Sequence, residues 1–260
     1  MKIGIRDGCL QQPWPAAFEM AARVGFDGLE LDLGADYEGT LLWSAEGRRK
    51  LHGIIEASGI ELASFCAGVC WTYSPASDDP AIRGRIRDML VTTCGYCAEF
   101  GVKWILVPVT PGGEGVTHET GTQRWIEMMA EIAPVAAEHG VALCLENVGR
   151  GYGKSAAELA NMTDTVASPG LKVYYDVGNA LAFGNDPVAE IKFLGDRIGE
   201  VHIKERGADL LGEGEVPIPG CLAALRDLGY DDWLVLETAA TSDPEAAARH
   251  NLGYLRKLLG

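Results

Sequence analysis

Long apolar runs are the first thing this 260-residue chain lacks. None reaches the ~18 residues that a membrane-spanning helix needs, so no membrane partner is expected. No secretory leader is read either, because Met1-Lys-Ile-Gly-Ile-Arg6 runs directly as a strand, and a cytoplasmic location is expected. Positive charge is scarce: 22 Lys and Arg stand against 37 Asp and Glu, for a formal net charge of −15. That balance opposes any partner whose binding depends on neutralising many phosphates, such as duplex nucleic acid, while leaving room for a small ligand with one phosphate. Paired cysteine motifs are also missing. The seven cysteines are scattered and odd in number, and Cys94-Gly-Tyr-Cys97 has no second pair at zinc-ribbon spacing, so reduced thiols are expected. Linkers, low-complexity segments and composition shifts are absent, which argues for one domain over residues 1–260.

Apolar runs of four to seven residues alternate along the chain with amphipathic helical stretches. Strands are predicted at Lys2–Arg6, Leu29–Leu33, Ile60–Phe65, Lys103–Val109, Val141–Asn147, Leu171–Asp176, Gly199–Lys204 and Asp232–Glu237. Helices are predicted from about Trp14, Ser44, Pro80, Thr120, Ser155, Pro187, Pro219 and Pro244, several of them stopping at a glycine such as Gly59, Gly101, Gly140 or Gly229. Eight strands strictly alternating with eight helices favour an α/β fold of the (β/α)8 TIM-barrel type over an open sheet. The longer connections follow strands three, four, five and seven, at the end of a barrel where ligand sites lie.

The last four strands each present one polar residue near that end: Glu146, Asp176, His202 and Glu237. They are 30, 26 and 35 residues apart in turn, each about one strand–helix unit. Strand alternation places Ala142 and Cys144 on the inner face with Glu146, and Trp233 and Val235 with Glu237. Three carboxylates converging in a barrel mouth repel one another unless a cation neutralises them. One divalent metal meets that need. Mn2+ suits the oxygen-rich set, with Mg2+, Co2+ or Zn2+ able to substitute. The bland alternative is four unrelated polar strand ends.

Gly25-Phe-Asp-Gly-Leu-Glu30, Leu145-Glu-Asn147, Tyr175-Asp-Val-Gly-Asn179, Val201-His-Ile-Lys204, Leu211-Gly-Glu-Gly214 and Leu236-Glu237 together resemble the xylose isomerase-like TIM-barrel superfamily of sugar phosphate isomerases and epimerases. The similarity runs in order over nearly the whole chain. It implies that Glu146, Asp176, His202 and Glu237 hold one divalent metal, and that Glu146 and Glu237 also act as acid and base. It implies a small carbohydrate substrate and, in many relatives, a homo-oligomer. The metal would acidify the C–H between a ketone and its neighbouring hydroxyl, giving an enediolate. Proton return to the opposite face is epimerisation; proton transfer to the adjacent carbon is isomerisation. Two positions depart from the ketose 3-epimerase pattern: Asn179 stands where a histidine is usual, and Tyr152 where a glutamate is. Both touch substrate contacts rather than the metal, which puts free-ketohexose specificity in question. Arg150, Asn179, Lys204, Arg206 and Glu213 are the candidate substrate contacts, with Glu30 and Arg6 as further residues of the mouth.

Other functions compete. A metal-dependent lyase of the same fold, acting on a keto-inositol or 3-keto sugar, would begin with the same proton abstraction and then expel a β-oxygen. An endonuclease IV-like DNA repair enzyme builds a three-zinc cluster with several additional histidines, where this chain offers Cys66, Pro108 and Asn179, and the net charge opposes it as well. A ligand sensor without catalysis would not need both glutamates. His52, His139 and His250 fall on predicted helices and His118 in a loop without companion ligands, so none is expected to bind metal.

Overall fold

The computed structural model describes all 260 residues. Eight parallel strands pair in sequence order, and the last closes on the first to make a barrel. The strands are β1 (Lys2–Arg6), β2 (Gly28–Asp32), β3 (Glu61–Cys66), β4 (Trp104–Pro108), β5 (Ala142–Glu146), β6 (Leu171–Asp176), β7 (Ile198–Ile203) and β8 (Trp233–Leu236). The helices are α1 (Asp7–Leu10), α2 (Trp14–Val24), α3 (Ala45–Ser58), α4 (Pro80–Phe100) and α5 (His118–Glu138), followed by α6 (Ala156–Val166), α7 (Val177–Ala182), α8 (Pro187–Leu194), α9 (Ile218–Asp227) and α10 (Pro244–Leu259). The pattern predicted eight helices, and ten form. The additional two, α1 and α7, are four and six residues long, too short to display a 3.6-residue apolar period. His118, expected in a loop, begins α5.

Local chemistry sets the helix boundaries. Asp79, Asp186 and Asp243 cap α4, α8 and α10 just ahead of a proline in the first turn. Ser155 and Glu158 form a reciprocal capping box at the start of α6. Gly59 stops α3 with φ of 71°, a left-handed conformation that a side chain would strain.

The strands bury two faces, and on β5 and β8 the alternation read from the sequence holds. Outward residues such as Ile5, Leu29, Leu143, Leu145, Leu234 and Leu236 join the large core under the helices. Inside the barrel, Ala63, Trp233 and Val235 pack together at the N-terminal end against Trp104. Above them lie Cys66, Leu106, Ala142, Cys144 and Tyr174. A β-carbon on Gly28 would approach the Trp233 ring to 2.6 Å, so a glycine there makes room for the indole that fills the barrel floor. With that end packed by side chains, polar chemistry is left to the C-terminal mouth. All seven cysteines are free. No helix is long and apolar enough to cross a membrane.

Candidate metal centre

Glu146 ends β5, Asp176 ends β6, His202 lies near the end of β7, and Glu237 follows β8 directly, its amide bonded to the Ile203 carbonyl. Asp176 and His202 are register partners, so they stand side by side. One ligand atom from each of the four residues lies within 4.8 Å of all the others. His202 Nδ1 is 3.3 Å from Glu146 Oε1, 3.6 Å from Glu237 Oε2 and 3.8 Å from Asp176 Oδ2. Asp176 and His202 are fully buried, Glu146 is nearly so, and the Glu237 side chain keeps 21% exposure towards the mouth.

Backbone contacts aim these groups. The Asn147 side chain accepts from the Asp176 amide at 2.8 Å and donates to the Asp176 carbonyl at 2.9 Å, tying the ends of β5 and β6 together. Asp176 Oδ1 accepts from the Asn179 amide at 2.7 Å and caps α7. Its Oδ2 is thereby left for the cluster. That oxygen is buried, and its partner is the Lys204 ammonium 2.7 Å away. Three carboxylates and one imidazole, each offering an atom to one small space, fit a divalent cation with oxygen and nitrogen ligands.

Charge is distributed unevenly over the two candidate proton carriers. Glu237 is held by cations on both oxygens, Arg6 Nη1 at 2.7 Å from Oε1 and Lys204 Nζ at 2.6 Å from Oε2. Burial alone would raise its pKa, but His202, Lys204 and Arg6 outweigh burial and pull it well below the usual carboxylate range. Glu146 lacks such partners. Burial pushes it up to about 7, with the nearby Glu237 and Asp176 charges adding to the rise against its bond to His202.

The other sequence candidates divide. Lys204 joins the cluster and, with Arg6, Gly8, Cys9, Glu237 and Thr238, lines a cavity of about 520 Å³ at the mouth. Asn179 lies beside Asp176, but its side-chain amide donates to the Asn147 carbonyl at 2.9 Å. Arg206 is half-exposed and faces Glu215 at 3.7 Å; Arg150 and Glu213 are exposed on loops outside the quartet. Tyr152, in the place of a glutamate, is buried and its hydroxyl accepts from the Gly112 amide at 2.8 Å, so it braces the β4–α5 loop. Arg6 and Asp32, 3.2 Å apart, are the mouth residues the sequence signalled least, though inward parity on β1 and β2 marks both.

The family model described as Xylose isomerase-like TIM barrel matches residues 18–258. The chain belongs to this family. Among curated relatives, SgbU of Escherichia coli (strain K12), provisionally named an L-ribulose-5-phosphate 3-epimerase, is 29% identical, with the match covering 91% of this chain and 88% of that one. UlaE of Escherichia coli (strain K12), an L-ribulose-5-phosphate 3-epimerase, is 24% identical over 90% of this chain and 85% of its own. The D-psicose 3-epimerase of Clostridium cellulolyticum H10, solved with D-tagatose, superposes with a TM-score of 0.85 at 21% identity, covering 100% of this chain and 99% of that one. At that identity the superposition establishes the fold.

Proposed function

We propose that this protein is a divalent-metal-dependent isomerase or epimerase acting on a sugar, sugar phosphate or keto-polyol through an enediolate. The convergence of Glu146, Asp176, His202 and Glu237 within 4.8 Å at the barrel mouth carries the reading. The names of the curated relatives, both of which are those of an L-ribulose-5-phosphate 3-epimerase and one of which is provisional, support the substrate class. These four residues hold the cation, with Mn2+ the best match to three carboxylates and one imidazole. When bound, it supplies Lewis-acid polarisation of the substrate ketone, which acidifies the adjacent C–H.

The chain's own groups then divide the work. Glu146 and Glu237 come from strands three positions apart around the closed barrel, so they reach a bound carbon from different sides. One removes the proton and the other returns one to the opposite face. The Lys204 ammonium, already among the acids of the mouth, holds a substrate oxygen and offsets the charge that develops there. Arg150 and Arg206 on the surrounding loops reach an outlying phosphate where the substrate carries one.

The test is solvent exchange. Incubating the protein with Mn2+ and a panel of ketoses, ketose phosphates and keto-polyols in D2O places deuterium on the carbon beside the ketone. Glu146→Gln and Glu237→Gln each slow that exchange by about 10²–10⁴-fold. Absence of exchange with every member of the panel overturns the reading. An ultraviolet-absorbing enone in place of a ketose product replaces it with the lyase alternative.

A further inference from the structure

His202 has a second nitrogen, and the barrel interior is built around it. Nδ1 faces the three carboxylates, while Nε2 points the other way and lies 3.0 Å from Glu30 Oε1. The imidazole therefore stands between Glu30 and the cluster, which keeps this fourth acid out of the ligand set. Glu30 is in turn held by two neutral donors on its other oxygen. Ser64 Oγ donates to Oε2 at 2.8 Å and Tyr174 Oη donates to the same atom at 2.9 Å. The Tyr174 ring also packs edge-on against the imidazole, with centroids 4.4 Å apart. Glu30, Ser64, Tyr174 and His202 are all fully buried, so water cannot stand in for any of these bonds.

The geometry points to Glu30 as the positioning residue of the metal centre: it fixes His202 in the tautomer that carries its proton on Nε2, leaving the Nδ1 lone pair for the cation. A neutral imidazole has one donor nitrogen and one acceptor nitrogen, and only an acceptor can ligate. An ionised carboxylate is acceptor-only, so without a cation the acids at both ring nitrogens would hold protons there; once a cation fills the Nδ1 side, Glu30 Oε1 keeps the one remaining proton on Nε2 and the Nδ1 lone pair faces the cation. Ser64 and Tyr174 matter because a carboxylate free to rotate would release the ring. They come from β3 and β6, so the middle layer of the barrel sets the ligand geometry of the layer above it. Such outer partners govern metal affinity as well as orientation.

The inference rests on the metal reading above, and the experiment separates the two. Zn2+-loaded protein labelled with [15N]histidine reports the tautomer of His202 directly by NMR, and a Co2+ titration reports affinity. The expected result is a protonated Nε2 and a metal-bound Nδ1 on His202. Glu30→Gln weakens Co2+ binding by about 10–100-fold and shifts the Nε2–H resonance. Tyr174→Phe removes one hydroxyl from the shell and gives a smaller loss in the same direction. If Glu30→Gln does not fold, Tyr174→Phe decides alone. Wild-type Co2+ affinity and an unchanged Nε2–H signal in the folded variants overturn the inference while leaving the metal site standing, whereas a proton on Nδ1 in the Zn2+-loaded protein takes His202 out of the ligand set and overturns both. Failure of the wild-type protein to bind Zn2+ or Co2+ overturns both.

Discussion

Asp7, the first residue after β1, shows how burial at a single position shapes the pH response. Its carboxylate accepts from the Gly8 amide, from Trp14 Nε1 at 2.7 Å and from the Asp32 amide at 3.2 Å. Burial nonetheless dominates and raises its pKa from 3.8 to about 6, helped by the nearby Asp32 charge. The folded protein therefore holds more protons than the unfolded chain between about pH 4 and 6. Its contribution to stability is fully present below about pH 4 and is lost as pH rises through 6. Urea unfolding of Asp7→Asn against the parent should reveal this as a difference in slope of about 2–3 kcal/mol across that window. Parallel stability curves for the two proteins would show that Asp7 is no more costly ionised than protonated. A residue's neighbours set this behaviour, and only one of Asp7's partners is adjacent to it in sequence. Residue identity by itself was enough to mark Glu146, Asp176, His202 and Glu237, because each stands at or near the end of an apolar strand in inward parity. The destination of Asn179 was not legible, since its amide is claimed by a carbonyl 32 positions away.

Among elements, the joint between β5 and β6 carries the most consequence for the site. Asn147 is fully buried, and its two bonds to the Asp176 backbone, with the Asn179 amide on its own carbonyl, tie strand end to strand end. Asn147→Ala leaves a buried N–H and a buried carbonyl without partners, at a cost of about 2–4 kcal/mol. Denaturant midpoints will register that loss. Metal affinity should fall with it, because Asp176 then loses the anchor that presents Oδ2. A change below about 0.5 kcal/mol would mean that the strands hold their register without the clamp. At this scale the strand–helix alternation was readable from apolar runs, capping residues and helix-stopping glycines. Helices α1 and α7 were not, because one or two turns carry too few residues to show a period. Helix α7 exists because the Asp176 carboxylate caps it, so a candidate metal ligand and a helix start share one side chain.

For the molecule as a whole, the barrel gathers acids that would not otherwise be neighbours. Glu30, Asp32, Glu146, Asp176 and Glu237 meet at one end, with Arg6, Lys204 and His202 as counter-charges. A ligand that binds only the folded form stabilises it by mass action. Mn2+ at a hundredfold excess over its dissociation constant should add about 2.7 kcal/mol. For a chain of this size that corresponds to a Tm rise of about 5–10 °C. Asp176→Ala and His202→Ala should each abolish the shift, and a chelator should reverse it in the parent protein. A melting temperature indifferent to divalent cations would argue that the lysine and arginine alone neutralise the cluster.

The amino-acid sequence by itself determined the barrel, its strand count and the four inward polar residues at its mouth, because a two-residue alternation and a strand–helix repeat are local properties of the chain. The tertiary structure alone decided which acid meets which face of His202. Register shifts opposite Leu29–Glu30 and opposite Val173–Tyr174 leave one residue unpaired on each partner strand, Ala63 on β3 and Gly199 on β7, and displace the simple alternation there, just below the site. They fall where Glu30 pairs with Ser64 and Tyr174 pairs with Glu200. Such irregularities re-aim side chains by an amount no single strand encodes, since they arise from closing eight twisted strands into one ring.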